Sequence, residues 1–194
     1  MNRLNFIKNT TLLSGVGLLS PSHFAFGSSS KIIGSNEKIK FGTIGLNNMG
    51  WHDSMRLLRV PNVELVAICD VDKNILEKRN YELKKSGIKV KVFSDYRNLL
   101  EDRDIDAVLI GTPDHWHPLM MIHASETGKH VYCEKPIGNS IGECNAMVKA
   151  QERYGNIVQV GQWQRSMQHF KDAVNFISTG VLGNIRTVKT WCYT

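Results

Sequence analysis

The feature that most constrains the fold is a regular alternation of short apolar runs with segments of helical period. Six runs of strand length occur between residues 37 and 160, at 39–45, 63–69, 90–93, 107–111, 131–133 and 157–160. Strands that alternate with helices in this way form a parallel sheet joined by right-handed crossovers. The sequence therefore predicts an α/β fold with a doubly wound parallel sheet, a Rossmann domain, over 37–160.

Three segments carry apolar residues on one helical face, which predicts helices that bury that face. The first stripe is Trp51, Met55 and Leu58, the second is Ile141, Cys144, Met147 and Val148, and the third is Phe170, Ala173, Val174 and Ile177. Ser140 and Glu143 form a capping box at the start of the second of these helices. Asp72 is interpreted as the cap of the helix that follows the second strand.

After the sixth strand, the chain continues with the third of these helices and a predicted last strand over 185–193. A single edge strand would leave its backbone groups uncovered, together with the side chains of Val188 and Trp191. We therefore interpret 161–194 as the truncated start of an α/β substrate domain.

A glycine-rich segment joins the first predicted strand to the first helix. It consists of Gly45, Leu46, Asn47, Asn48, Met49 and Gly50. In a dinucleotide-binding loop, the residue type at Gly45 permits a tight turn, that at Gly50 permits close helix packing, and the helix N-terminus binds the pyrophosphate. Asn47 replaces the middle glycine of this pattern, and asparagine tolerates unusual dihedral angles better than most residues.

An acidic residue, Asp70, follows the second strand about 20 residues after the last glycine of this loop. A carboxylate at this place hydrogen-bonds the adenosine ribose hydroxyls. Because it would repel a 2′-phosphate, the sequence favours NAD as the cofactor, and NADP is the alternative.

Two further motifs follow the fourth and fifth strands. They are Gly111-Thr112-Pro113-Asp114-His115-Trp116-His117 and Cys133-Glu134-Lys135-Pro136. Both stand at the carboxyl ends of strands, where open α/β sheets bind ligands. Together with the glycine loop, in this order and spacing, they closely resemble the Gfo/Idh/MocA oxidoreductases. The resemblance extends from Lys38 to Thr194, and its most specific part is the Glu-Lys-Pro motif.

The resemblance implies a nicotinamide cofactor across the sheet and a carbohydrate-like substrate held against it by a C-terminal domain. In the family, the lysine matched by Lys135 lies near the nicotinamide and the reacting hydroxyl. An ammonium group there favours the alkoxide character that develops as hydride leaves carbon. Lys135 is therefore the candidate catalytic residue, a candidate cofactor contact and a candidate substrate contact; the alternative is a surface lysine before a turn-forming proline.

The remaining candidate cofactor contacts are Thr112, Pro113, His117 and Glu134. Thr112 and Pro113 are expected to line the nicotinamide pocket, and Glu134 to order the cofactor side of its loop. Trp116 is either a pocket wall or a core residue. Trp163 and Arg165 follow the last strand and are candidate substrate contacts, because polar groups beside an aromatic face suit a carbohydrate. A role in stabilising the domain junction is the alternative for both.

Charge and cysteine spacing argue against two other classes of function. The formal net charge is +6, and the basic residues are scattered, so we expect no nucleic-acid partner. The four cysteines are far apart and lack the spacing of a metal cage. His115 and His117 are two residues apart, so a helix would not point them at one metal ion. We expect no metal site.

The first 27 residues have the three-part plan of an export signal. Arg3 and Lys8 precede an apolar run over 12–19, and small residues follow up to Gly27. An ordinary amphipathic helix is the alternative. The apolar run is too short to cross a bilayer of about 30 Å, so we expect no stable membrane span. We expect a linker over 28–36 and export to the periplasm, behind a leader in which Leu4 replaces the second arginine of the twin-arginine pattern.

The leading hypothesis is an exported NAD-dependent oxidoreductase that acts on a sugar, polyol or glycoside hydroxyl. This chain would be its cofactor-binding half, inactive alone and a homo-oligomer when full length. An NAD-dependent glycoside hydrolase that uses transient oxidation is one alternative. A non-catalytic dinucleotide-binding module is the other.

Overall fold

The structure is a computed structural model that describes residues 38–191. Within this range, six parallel strands form one sheet in the order β3-β2-β1-β4-β5-β6. The strands are β1 (Ile39–Ile44), β2 (Val63–Cys69), β3 (Lys91–Phe93), β4 (Ala107–Ile110), β5 (His130–Cys133) and β6 (Val158–Val160). Every strand lies within one residue of its predicted bounds. The predicted doubly wound parallel sheet is confirmed.

Six α-helices and two short 3-10 helices connect or follow these strands within the described range. The α-helices are α1 (Asn48–Leu57), α2 (Lys73–Lys85), α3 (Tyr96–Glu101), α4 (His117–Glu126), α5 (Ile141–Tyr154) and α6 (Gln168–Ser178). The 3-10 helices are Asp114–Trp116 and Trp163–Ser166. Asp72 caps α2, with its Oδ1 accepting a hydrogen bond from the Asn74 N–H at 2.8 Å. The predicted capping box of Ser140 and Glu143 is also present.

The core consists of two hydrophobic clusters on the sheet. One joins the sheet to α1 and α2 and includes Phe41, Trp51 and Leu83. The other joins it to α3, α4 and α5 and includes Ile110 and Met121. The sheet is therefore covered on both faces, which explains why its strands read as nearly continuous apolar runs in the sequence.

The stripes predicted for α5 and α6 differ from the structure. On α5, Met147 is buried, but Ile141 and Val148 are 83% and 56% exposed. The helix instead turns Ala150 inward, so its buried face is narrower than the sequence pattern indicated. On α6, the predicted stripe is exposed along its whole length within the described residues, because this helix does not pack on the sheet.

The prediction of a last strand over 185–193 is wrong for the part that the structure describes. Residues 185–191 carry no strand, and their side chains are exposed. A strand is held by backbone hydrogen bonds to a neighbour, and this segment has none within the described range. Residues 192 and 193, the predicted export signal and the predicted linker lie outside the described residues. The assignment of 161–194 to a second domain stays a prediction.

Candidate functional site

The candidate site lies at the carboxyl edge of the sheet, where the strand order reverses. β1 is paired with β2 on one side and β4 on the other, so the loops after these three strands meet there. In open α/β sheets, ligands bind outside this edge at such a reversal. The predicted site residues after β1, β2, β4 and β5 therefore all face one edge of the molecule.

Three glycines bring the loops after β1 and β4 into direct backbone contact. A Cβ on Gly50 would overlap the Gly45 carbonyl oxygen, and a Cβ on Gly111 would overlap the Gly50 Cα. Gly45 has φ = 89°, a backbone conformation that residues with a side chain rarely adopt. α1 can therefore begin directly against the sheet edge. Sequence reasoning placed Gly111 in a motif but missed this contact, which depends on pairing between distant strands.

The start of α1 differs in one detail from the expectation for Asn47. Asn47 is the N-cap with φ = −98°, an ordinary extended value, and its side chain accepts a hydrogen bond from the Asn48 N–H. The positive φ of 39° falls on Asn48 instead. Both asparagines are exposed, and Met49 is half-buried. The first N–H groups of α1 thus lie at the surface beside the glycine contact.

Asp70 lies against the glycine-rich loop. Its Oδ2 accepts a hydrogen bond from the Leu46 N–H at 2.7 Å, and its Oδ1 accepts one from the Asp72 N–H at 3.0 Å. The end of β2 is therefore tied to the loop after β1. This brings the two elements of the predicted dinucleotide site together.

Arg79 on α2 is a residue at this site that sequence reasoning missed. Its Nε donates to the Leu46 carbonyl oxygen at 3.3 Å, and its guanidinium lies 4.5 Å from the centre of the Trp51 ring. It also pairs with Glu82 at 2.7 Å. Because it meets the loop only through the packing of α2, no local motif marks it.

His117 connects the loop after β4 to the loop after β5. The side chain is 1% exposed. Its Nδ1 lies 2.7 Å from the Pro136 carbonyl oxygen, and its Nε2 lies 2.8 Å from the Thr112 carbonyl oxygen. The structure thus places His117 beneath the two loops, where both ring nitrogens contact the backbone.

The side chains next to His117 in its motif are more open. His115 and Trp116 are exposed, as is Pro113, while Thr112 is half-buried. Trp116 is interpreted from the sequence as either a pocket wall or a core residue, and its exposure argues against the core. Within residues 38–191, no group of three or more His, Cys, Asp and Glu side chains is placed to hold a metal ion.

Glu134 and Lys135 take opposite positions at the end of β5. Glu134 is 3% exposed, while Lys135 is exposed. The Glu134 Oε2 accepts a hydrogen bond from the Lys135 N–H at 3.2 Å, and its Oε1 accepts one from the Tyr132 hydroxyl at 3.4 Å. Burial, followed by the nearby Asp53 carboxyl, raises the pKa of Glu134. Glu134 is therefore buried beneath the loop and holds the Lys135 N–H, while the Lys135 side chain is exposed.

Two cysteines at the ends of site strands have no reactive character. Cys69 and Cys133 are buried, and burial is the main cause that raises the pKa of each thiol to about 12. A thiolate is the reactive form of cysteine, so these thiols stay inert near neutral pH. This agrees with their interpretation as small apolar residues.

The two candidate substrate residues after β6 lie on the 3-10 helix Trp163–Ser166. The Arg56 guanidinium on α1 lies 5.7 Å from the centre of the Trp163 ring. Arg165 is exposed, and its backbone N–H bonds the Gln162 carbonyl oxygen. Trp163 is thus brought to the helix that follows the glycine-rich loop, while Arg165 extends into solvent.

Within the described part of the chain, no helix is long and apolar enough to cross a membrane.

Comparison with family models gives one match over the sheet region. The model for the Gfo/Idh/MocA group, described as "Oxidoreductase family, NAD-binding Rossmann fold", matches residues 39–162. This range contains the six strands and every candidate cofactor contact named above.

Several curated proteins are similar over the same region. The uncharacterized oxidoreductase YrbE of Bacillus subtilis is 30% identical over 155 residues, covering 79% of this chain and 44% of that protein. Inositol 2-dehydrogenase of Salmonella typhimurium is 29% identical, covering 75% of this chain and 43% of that protein. A glycosyl hydrolase family 109 protein of Shewanella pealeana is 30% identical, and the match covers 79% of this chain and 37% of that protein. The chain spans less than half the length of these relatives.

Two solved structures with bound cofactor are also similar. One is scyllo-inositol dehydrogenase of Lactobacillus casei with NAD(H) and scyllo-inositol, with a TM-score of 0.68 at 28% identity, covering 76% of this chain and 43% of that one. The other is the WlbA dehydrogenase of Bordetella pertussis with NADH and UDP-GlcNAcA. It has a TM-score of 0.69 at 26% identity, and the match covers 76% of this chain and 42% of that one.

Proposed function

We propose that this chain is the cofactor-binding part of an NAD-dependent oxidoreductase. The chain belongs to the Gfo/Idh/MocA family of oxidoreductases, which has an NAD-binding Rossmann fold. The substrate would be a hydroxyl of a sugar, polyol or glycoside. One observation carries this proposal: the glycine contact, Asp70 and the Glu134-Lys135 loop all lie at the carboxyl edge of one sheet, on neighbouring strands.

The residues at this edge fit a dinucleotide. The contact among Gly45, Gly50 and Gly111 leaves no space for a Cβ, so the loop backbone itself forms the surface that a pyrophosphate would meet. The Asp70 carboxylate stands at the end of β2, where it would accept hydrogen bonds from the adenosine ribose. Its negative charge favours NAD over NADP.

Lys135 is the candidate for assisting hydride transfer. The bound nicotinamide would supply the hydride acceptor. Lys135 is exposed at the site edge while its backbone is held by Glu134, so the ammonium can reach a ligand from a fixed position. A positive charge beside the substrate oxygen stabilises the negative charge that develops there in the transition state.

The relatives favour a cyclic polyol or sugar as substrate. Among them are proteins named inositol 2-dehydrogenase and a structure that contains scyllo-inositol. The glycosyl hydrolase family 109 relatives keep a second candidate open, in which transient oxidation leads to cleavage of a glycoside. The exposed Trp163 and Arg165 suit either ligand.

Export and self-association are further parts of the proposal. The apolar run over 12–19 and the small residues up to Gly27 support export to the periplasm. N-terminal sequencing of the mature protein should give a start near Ser28, whereas an intact Met1 in the cytoplasmic fraction would contradict export. Sedimentation of the full-length protein should show a homo-oligomer.

The test of the function has two parts. Calorimetric titration of this chain with NAD should show binding, and its absence would contradict the proposed cofactor site. In the full-length protein, NADH formation is then assayed with a panel of inositols, sugars and glycosides. Accumulation of NADH supports oxidation, whereas release of free sugar without net NADH supports the hydrolase.

Lys135→Ala in the full-length protein should lower turnover far more than it weakens NAD binding, because its charge acts mainly in the transition state. Lys149→Ala, which removes an exposed lysine on α5, is the matched control. Unchanged turnover in Lys135→Ala would reduce Lys135 to a structural residue.

A further inference from the structure

Leu46, in the glycine-rich loop, is held at both of its backbone groups by side chains from other elements. Its N–H donates to the Asp70 Oδ2 at 2.7 Å, and its carbonyl oxygen accepts a hydrogen bond from the Arg79 Nε at 3.3 Å. Its own side chain is fully buried in the cluster that joins the sheet to α1 and α2. The backbone of this part of the loop is therefore fixed relative to both β2 and α2.

Arg79 is itself fixed by contacts other than the one with Leu46. Its side chain is 16% exposed, and its Nη1 donates to the Glu82 Oε2 on the same helix at 2.7 Å. The guanidinium lies 4.5 Å from the centre of the buried Trp51 ring on α1, which is within cation–π distance. Arginine carries its N–H donors in one rigid plane, so a single side chain can make all three contacts at once. The Nε–H is thus aimed at the Leu46 carbonyl oxygen.

Because the Leu46 carbonyl is held, the N–H of Asn47 is oriented as well. The two groups belong to one peptide unit, which is trans and planar, so they point in opposite directions. The carbonyl points to Arg79 on α2, and the Asn47 N–H therefore points away from α2. Asn47 is exposed and comes directly before the first residue of α1.

The positive charge of Arg79 acts on the same peptide unit. A hydrogen bond from a cation is stronger than one from a neutral donor. It polarises the peptide unit that accepts it, which makes the Asn47 N–H a better donor. The next residue, Asn48, has φ = 39°, a conformation that persists only where the surroundings fix it. The bond from Arg79 to the preceding peptide unit is one such constraint.

We propose that Arg79 is a positioning residue for the pyrophosphate of a dinucleotide. Through the Leu46 carbonyl, it orients and polarises the Asn47 N–H as a donor to a phosphate oxygen. Its own guanidinium is engaged by Leu46, Glu82 and Trp51, so it acts through the peptide and not by direct contact. The inference rests on the proposed function for the identity of the ligand.

Calorimetric titration of this chain with adenosine, ADP and NAD separates this role from that of Asp70. In Arg79→Met, ADP and NAD should bind about tenfold more weakly than in the wild-type chain, the equivalent of one hydrogen bond. Adenosine has no phosphate and should bind unchanged. Asp70→Ala should weaken all three ligands, because each contains the ribose. Arg59→Met, which removes an exposed arginine after α1, should weaken none.

Arg79→Lys separates the hydrogen bond from the charge. Lysine has a methylene group where arginine has Nε, so the positive charge remains while the donor to Leu46 is lost. We expect the same loss of ADP affinity as in Arg79→Met. Wild-type affinity for ADP in either variant would overturn the proposal. Adenosine binding that stays at the wild-type level shows that the variant is folded at this site.

Amide NMR of this chain without ligand tests the peptide unit itself. The signal of an amide nitrogen responds to a hydrogen bond at the carbonyl of its own peptide unit, because the whole unit is polarised. The Asn47 signal should therefore shift in Arg79→Met and Arg79→Lys but not in Arg59→Met, and an unshifted signal in the first two would contradict the inference. The proposed function fails separately, if the wild-type chain binds neither ADP nor NAD; the Asn47 signal then still decides whether Arg79 fixes this peptide.

Discussion

The glycine-rich loop after β1 is shaped by close backbone contact with the end of β4, whereas the loops after β4 and β5 are held by buried polar side chains beneath them. In the first region, Gly45 and Gly50 meet Gly111 with no space for a side chain. In the second, His117 and Glu134 lie beneath the loops and bind backbone groups.

This difference follows from what each region would bind. A pyrophosphate is recognised by backbone N–H groups, which must approach it without side chains between them. A nicotinamide and a reacting hydroxyl need particular side chains in fixed positions, and these require support from buried neighbours. The first region should therefore be sensitive to added volume and the second to lost hydrogen bonds.

The largest effect is expected from adding one methyl group in the first region. Gly50→Ala would place a Cβ on the Gly45 carbonyl oxygen, which is backbone and cannot turn aside. We expect a loss of about 3 kcal/mol or more in the free energy of unfolding, measured with urea. Gly142→Ala is the control, because its nearest atom is the Ser140 Oγ at 3.9 Å. Equal stability of Gly50→Ala and the wild-type protein would refute the backbone contact.

The next effect is expected in the second region, where the His117 imidazole contacts two backbone carbonyl oxygens. His117→Ala removes the ring N–H that donates to one of the two carbonyl oxygens, those of Thr112 and Pro136, and opens a cavity. The free energy of unfolding should fall by about 2–3 kcal/mol. His115→Ala, at an exposed histidine two residues earlier, should change it by less than about 0.5 kcal/mol. Similar values for the two variants would show that His117 does not hold the loops.

A smaller effect is expected on binding at Asp70, where the first region uses a side chain. Asp70→Ala should weaken NAD by about 1–2 kcal/mol, because the ribose hydroxyls lose their acceptor. It should weaken NADP less, since the repulsion of the 2′-phosphate also disappears. Calorimetric titration with both cofactors measures this, and Asp104→Ala, before β4 at the other edge of the sheet, is the control. Parallel losses for both cofactors would remove Asp70 from cofactor selection.

The smallest effect is expected in how the free energy of unfolding depends on pH, through the titration of Glu134. Its pKa is raised in the folded protein, so the folded state holds more protons than the unfolded state above the ordinary carboxyl range. The free energy of unfolding should therefore fall as pH rises from about 4.5 through the raised pKa. Urea unfolding across this range should show the fall in the wild-type protein and in Glu152→Gln, but not in Glu134→Gln. An identical slope in Glu134→Gln would assign it to other groups.

Much of the fold was predictable from the sequence because its signals are local. The strands of a sheet covered on both faces read as apolar runs, and all were found within one residue. The capping box of Ser140 and Glu143 and the cap at Asp72 depend on neighbours within three residues. The predictions of a buried face on α6 and of a last strand were wrong because both assumed a packing partner elsewhere in the chain, which no local signal establishes.

By itself, the sequence determined the order of strands and helices, the glycine-rich loop and the acid at Asp70. Periodicity, turn residues and spacing can be identified from the order of residues alone. Only the tertiary structure decided that Gly111 closes on Gly50, that Arg79 reaches Leu46, and that His117 contacts the Pro136 carbonyl oxygen. Each of these contacts joins residues from different strand–helix units, and their geometry depends on how the units pack. No local pattern distinguishes a buried Asp53 from an exposed acid, because burial is a property of the assembled sheet and helices.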